Sequence, residues 1–300
     1  MIVGREQVRI SGNRPVSLKA KDRACAAMLA GILMVFPVSA EQVAPSPAVA
    51  ATGKLSVANT IDYPPFGYVG PDGEPTGIII ELAQAVAQLI NVDLDLQRAP
   101  FPTLMPGLAA GRYHLAWETF SISEERLAHV SFVVFLKGGL AASTRAERVA
   151  EFAEEHSFCG KKLGASTGSA SDFLIDRLTE ACLAKGKPPV EKFLFSSSQD
   201  IVQAVMSGRL DVRIDDATAS RYFETVSNGQ LVTLPREYDV APLGLAVPRS
   251  DIATARMVVA ALSALFDNGT YGEALARYGL SEHAIAEPYL VIGLDDLRDE

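Results

Sequence analysis

Apolar positions between residues 53 and 278 fall into two rhythms that take turns along the chain. Residues 55–58 form a short apolar run suited to a buried strand. Tyr63-Pro64-Pro65-Phe66 ends it as a rigid loop, and Pro71-Asp72-Gly73 reads as a turn. Ile78, Leu82, Val86 and Leu89 then share one helix face, which predicts a helix over 78–89. Residues 92–96 alternate like a strand, 103–110 read as a short helix stopped by Gly111, and 115–120 form the next strand. The rhythm restarts with a strand at 162–165, a Gly/Ser/Thr loop and a helix over 172–184. Lys187-Pro188-Pro189 separates that helix from a strand at 190–195. A helix at 200–207, a strand at 212–214, a helix at 217–226 and a strand at 244–247 follow. Helices at 254–266 and 270–278, parted by Asn268-Gly269, close the series. This alternation predicts an α/β fold, a parallel sheet with helices on its faces.

Two places in the series correspond. Ala110-Gly111-Arg112-Tyr113-His114 leads into one strand, and Ser207-Gly208-Arg209-Leu210-Asp211 leads into another. The first strand is followed by Ser121-Ile122-Ser123-Glu124-Glu125-Arg126, which offers hydroxyls and a guanidinium. The second ends in the carboxylates of Asp215 and Asp216. Two similar lobes facing each other are expected, with ligands bound beyond the carboxyl ends of the strands. Opposed charges of this kind complement a small zwitterion.

Upstream of residue 53 the pattern changes. Lys19, Lys21 and Arg23 precede an apolar run over 24–38, and Val38-Ser39-Ala40 supplies small residues at its end. Residues 1–40 therefore read as a secretory signal, since a membrane span needs roughly 20 apolar residues. Cys25 stands at the start of the run, where it does not fit a lipid anchor. Residues 41–52, rich in Pro, Ala and Val, read as a flexible leader.

Removing the signal changes the charge. The net −9 of the whole chain loses six basic and two acidic residues, which leaves 21 Lys and Arg against 34 Asp and Glu. That balance argues against a nucleic-acid partner and against a purely electrostatic membrane contact. Export also leaves only Cys159 and Cys182, which read as one disulfide in an oxidising compartment, the alternative being two buried thiols. With four His in all and no Cys-x-x-Cys, a zinc site has little support, and no metal or cofactor enters the expected function.

One competing pattern needs weighing. Gly164-Ala165-Ser166-Thr167-Gly168 fits the nucleophile elbow of a Ser hydrolase, and Asp216 and His283 follow in the right chain order. The pattern is short, arises by chance in Gly/Ser-rich loops, and has no oxyanion-hole segment upstream. The same loop lacks the Gly-Lys-Ser/Thr ending of a phosphate-binding loop.

Several segments together resemble a family. They are Tyr63-Pro64-Pro65-Phe66, Phe101 with Leu104, Leu108-Ala109-Ala110-Gly111-Arg112-Tyr113 and the segment from Ser121 to Arg126. Phe158-Cys159-Gly160-Lys161-Lys162, Gly168-Ser169, Ala181-Cys182, Gly208-Arg209-Leu210-Asp211 and Asn268-Gly269-Thr270-Tyr271 continue the series. In this order and spacing they resemble the extracytoplasmic amino-acid-binding proteins of ABC importers, solute-binding family 3, over residues 53–287. The resemblance implies a two-lobed type II periplasmic-binding-protein fold with two hinge crossings. Lobe 1 would be 53–138 and 240–287, lobe 2 would be 139–239, and 288–300 a C-terminal tail. It also implies a monomeric periplasmic capture protein, not an enzyme, that delivers an amino acid or amino-acid derivative to a membrane permease. The cysteine pair resembles a subgroup with a disulfide at that place.

The resemblance assigns roles residue by residue. Arg126 would clamp the ligand carboxylate by a charge-assisted pair, where otherwise it would be a surface arginine beside Glu124 and Glu125. Ser121 would add a hydroxyl there, with Ser123 the better helix cap. Asp216 would receive the ammonium, although it also suits the N-cap of the following helix. Ser169 and Ala170 would offer amides at a helix start. Tyr63 and Phe66 would form an aromatic wall. Thr119 and Glu118 would meet the ligand at the strand end. Glu118 departs from the family's small residues. It would select a basic side chain, or else pair with a protein cation at the rim. Thr60 stands where the family often has an acid, with Asp62 two positions on. Trp117 and His114 read as structural. Some relatives are secreted enzymes such as cyclohexadienyl dehydratases, for which Glu118 or His114 would be the general acid.

Overall fold

The buried run read at 55–58 is the first strand of a nine-stranded sheet in the computed structural model, which describes residues 43–298. In chain order the first elements are α1 (Pro47–Thr52), β1 (Lys54–Asn59), β2 (Tyr68–Val69), β3 (Pro75–Thr76), α2 (Ile78–Leu89), β4 (Asp93–Arg98), α3 (Phe101–Ala109), β5 (Leu115–Ser121) and α4 (Glu124–Leu127). There follow β6 (Val130–Arg145), β7 (Lys162–Ser166), α5 (Ala170–Ala184), β8 (Glu191–Phe195), α6 (Ser198–Met206), β9 (Val212–Asp216) and α7 (Ala217–Val226). The last are β10 (Leu231–Pro248), α8 (Ile252–Asp267), α9 (Thr270–Arg277) and β11 (Tyr289–Val291). The helices predicted over 78–89 and 217–226 have those bounds. The other predicted helices differ by one or two residues at an end, as where the cap Ser169 starts α5 at Ala170.

The sheet order β4-β1-β5-β10-β6-β9-β7-β8, with β11 on β6, explains the two-lobed shape. β1 pairs in parallel with β4 and β5, and β7 pairs in parallel with β8 and β9. Only β6 and β10 run through both groups. They pair with each other antiparallel from Val130 to Arg145, and the register slips between Thr233 and Glu237 and between Tyr238 and Ala241. Gly139 lies opposite the second slip, and Gly138 pairs with Ala241 at its edge. A Cβ on Gly139 would sit 2.9 Å from the carbonyl oxygen of Tyr238, so the strands could not approach there with a larger residue.

Each lobe has its own core. α2, α8 and α9 pack Ile79, Leu82, Val86, Val258, Leu262 and Leu275 against one face of the first lobe's sheet, with Trp117 edge-on to Phe135 at 5.7 Å. Leu104, Leu108 and Phe132 fill the other face. In the second lobe, Ile175 and Leu178 of α5 pack over Leu163, Val212 and Ile214, while Ile201 and Val205 of α6 fill a further cluster with Leu231. The disulfide Cys159–Cys182 ties α5 to the segment before β7, with the Cα atoms 5.6 Å apart.

Both ends hold more structure than expected. Residues 43–52 are not a flexible leader. Ser46 caps α1, its hydroxyl lies 2.7 Å from that of Thr254 on α8, and Val49 is fully buried. Burying a valine contributes roughly 1.5–3 kcal/mol, enough to hold one short helix down. The segment read as a C-terminal tail, 288–300, is packed into the first lobe within its described part. Tyr289 and Val291 are buried, and β11 pairs with β6. Pro-rich composition hid the first, and a run of only three strand residues hid the second. The segment read as a signal, 1–40, lies outside the described residues.

Replacing Cys159 and Cys182 together by Ser is expected to lower stability by about 3 kcal/mol, given the 23-residue separation. Chemical denaturation of both proteins checks this, and equal midpoints would contradict it.

Candidate functional site

A cavity of about 320 Å³ lies between the lobes. The first lobe lines it with Thr60, Asp62 and Tyr63 from the loop after β1 and with Thr119, Ser121 and Arg126 from β5 and α4. The second contributes Ser166, Ser169, Ala170, Ser198, Asp215 and Asp216, and Gly138 and Gly139 lie at the crossing.

The Arg126 guanidinium lies over the Phe120 ring at 5.7 Å, and its hydrogen bonds go to uncharged oxygens. Its Nη1 donates to the Ser121 carbonyl at 2.7 Å and to Ser121 Oγ at 2.8 Å, and its Nη2 reaches the Gly168 carbonyl of the other lobe at 2.8 Å. Ser123 takes the capping task, accepting from the Arg126 amide at 3.3 Å, which leaves Ser121 for the guanidinium. No carboxylate lies within ion-pair distance of Arg126 among the described residues. Desolvation lowers its pKa, with Glu125 opposing. A guanidinium held by dipoles in a cavity is prepared for an anion.

The paired aspartates divide their work. Asp215 is satisfied: it takes a charge-assisted bond from the buried Arg213, accepts from Ser198 Oγ at 3.2 Å and receives the Tyr63 hydroxyl at 2.6 Å. Asp216 Oδ1 caps α7 by accepting the amides of Thr218 and Ala219 at 2.8 and 3.2 Å. Asp216 has no cationic partner among the described residues, and its carboxyl faces the cavity beside Gly138. Burial, with Asp215 adding, pushes its pKa up to about 7. Both readings of Asp216 thus hold in geometry, as a cap and as a cavity acid.

Ser169 caps α5 through the Asp172 amide at 3.3 Å, and both it and Ala170 line the cavity. Gly168 takes φ +72°, which turns its carbonyl toward Arg126. Tyr63 lines the cavity, but Phe66 does not. Phe66 is buried in the first lobe's core with its ring 5.3 Å from that of Tyr63, so it backs the wall without forming it.

Glu118 needs a larger correction. It is 1% exposed and lies beneath the wall, where Oε1 accepts the Thr60 amide at 2.8 Å and Oε2 has no partner. Burial, opposed by the Thr60 bond and aided by Asp62 and Asp215, raises its pKa to about 8. It is neither a rim residue paired with a cation nor part of the cavity surface. The acid that does line the cavity on this side is Asp62.

The remaining candidates separate cleanly. His114 accepts the Ser56 amide at 3.0 Å and is structural, and Trp117 is core. His283 is engaged by the Lys137 carbonyl and by Thr218, both at 3.1 Å, so no Ser166–His283 pair forms. Sequence reasoning missed the buried Arg213 and the Tyr63–Asp215 bond between the lobes. An Arg-x-Asp pair within a strand places both side chains on one face, and that was the available signal.

The profile of bacterial extracellular solute-binding proteins, family 3, matches residues 55–281, and the chain belongs to that family. It is 26% identical over 260 residues to the arginine-binding protein ArgT of Corynebacterium glutamicum, covering 82% of this chain and 84% of that one. It is 25% identical over 204 residues to a cyclohexadienyl dehydratase of Pseudomonas aeruginosa, covering 67% and 73%. A crystal structure of a mutant ArgBP from T. maritima shares the fold, with a TM-score of 0.70 at 22% identity over 77% of this chain and 97% of that one. No helix among the described residues is long and apolar enough to cross a membrane.

The two raised carboxyls set a pH dependence. The unfolded chain loses these protons near pH 4, whereas the folded protein keeps them to about 7 at Asp216 and about 8 at Glu118. The ligand-free protein therefore loses stability as pH rises from about 4 to 8. Asp216→Asn keeps a capping side chain and removes one ionisation. It is expected to gain roughly 2–4 kcal/mol at pH 8 and almost nothing at pH 4, read from thermal melts at both.

Proposed function

We propose that this protein captures an amino acid outside the cytoplasm and hands it to the membrane permease of an ABC importer. The observation that carries the reading is the pair Arg126 and Asp216. They line one cavity from opposite lobes, and neither has a partner of opposite charge among the described residues. The ligand carboxylate would meet Arg126 and Ser121, and its ammonium would meet Asp216. Tyr63 would cover the side chain, and the start of α5 at Ser169 and Ala170 would close over the carboxylate end.

The lobes would come together around the ligand by bending at the β6 and β10 crossings. A ligand shifts that equilibrium only by touching both lobes in the closed form. Arg126–Gly168 and Tyr63–Asp215 are bonds between lobes at the cavity that such closure would form. Residues 1–40 would be the export signal, and the mature protein would work as a monomer without a cofactor.

A second reading is an enzyme on this fold, given the dehydratase relative. It would need an acid at the reacting group. Glu118 is sealed under the wall and His114 is tied to Ser56, so the binding role has the better support.

Arg126→Ala and Asp216→Ala are each expected to weaken amino-acid binding by at least about 2 kcal/mol, some thirtyfold, because each leaves a ligand charge unpaired. Calorimetry with the amino acid found in a thermal-shift screen measures this. Unchanged affinity in both variants would refute the assignment.

A further inference from the structure

The charges that line the cavity do not cancel. Asp215 is matched by Arg213, and Asp239 by Arg177. Three charged residues then remain on the lining: Arg126, Asp216 and Asp62. Asp62 has no hydrogen-bond or ion-pair partner among the described residues. It directly precedes Tyr63, whose hydroxyl bonds Asp215, and Asp216 directly follows Asp215. The two unmatched acids therefore flank the two ends of one bond between the lobes.

A neutral zwitterion answers Arg126 and Asp216 and leaves Asp62 in a space that loses water when the lobes meet. An unpaired carboxylate in such a place is costly. A ligand with one carboxylate and two cations answers all three. We propose that Asp62 makes this site selective for an amino acid whose side chain ends in a guanidinium or ammonium group. The inference rests on the amino-acid reading above and adds to it the class of side chain and the residue that selects it.

Glu118 does not fill this role. Its Oε2 is out of reach beneath the wall, and its burial favours the protonated form at neutral pH. Asp62 lies close enough to raise the pKa of Glu118 further, so a cation at Asp62 would be felt by both acids. The apolar stem of such a side chain would lie along Tyr63 and Phe101, which line the same space.

The test is calorimetry on the purified protein with two matched pairs of ligands. L-arginine is compared with L-citrulline, which has the same shape and an uncharged end, and L-lysine with L-norleucine. The wild-type protein is expected to bind one charged member at least tenfold tighter than its neutral partner. Asp62→Asn is expected to bring that ratio within threefold, through weaker binding of the charged ligand and equal or tighter binding of the neutral one, and binding of the neutral ligand also shows that the variant is folded. A wild-type ratio near one, or an undiminished ratio in Asp62→Asn, overturns the selectivity role and leaves the amino-acid reading standing. If the wild-type protein binds no α-amino acid in a full screen, the amino-acid reading fails and this inference with it.

Discussion

A guanidinium brought out of water must be answered by something, and around Arg126 that something is oxygen without charge. Carbonyls of Ser121 and Gly168 and one hydroxyl orient it but do not neutralise it. One of those carbonyls belongs to the opposite lobe, so the same side chain that prepares the anion site also joins the halves. Much of the surrounding structure serves that arrangement. Ser123 caps α4 so that Ser121 need not, and the left-handed turn at Gly168 aims its carbonyl inward.

The second lobe answers with a different economy of charge. Arg213, fully buried, lies over the Phe223 ring at 4.9 Å and neutralises Asp215. A buried ion pair of this kind adds little net stability, because desolvation offsets attraction. Its structural value here is to settle which of two adjacent acids stays available. Asp216 then holds the first turn of α7 with one oxygen while its carboxyl borders the cavity. The strand register decides this division, since neighbouring residues point to opposite faces.

The alternation of strands and helices was legible because apolar spacing reports it directly. The helix at 78–89 and the restart at 162 are examples. The long β6 and the early part of β10 were not legible. Strands buried on both faces, such as Val130 to Leu136, show no alternation, and β10 from Pro235 to Ala241 is polar and irregular where it crosses between lobes. At the site, the family pattern located Arg126, Ser121, Ser169 and Asp216 on one cavity. It failed to separate depth from surface. Glu118 and Phe66 sit at positions next to the cavity but are buried behind Thr60 and Tyr63, and no linear spacing distinguishes a wall from what stands behind it.

The packing of the two described ends against the same half of the molecule has a mechanical consequence. α1 is fastened to α8, and β11 lies on the near half of β6. The second lobe is therefore an insertion, reached only through two adjacent strands and carrying no chain end within the described residues. Both described ends are thus anchored in the first lobe, and neither ties down the inserted one.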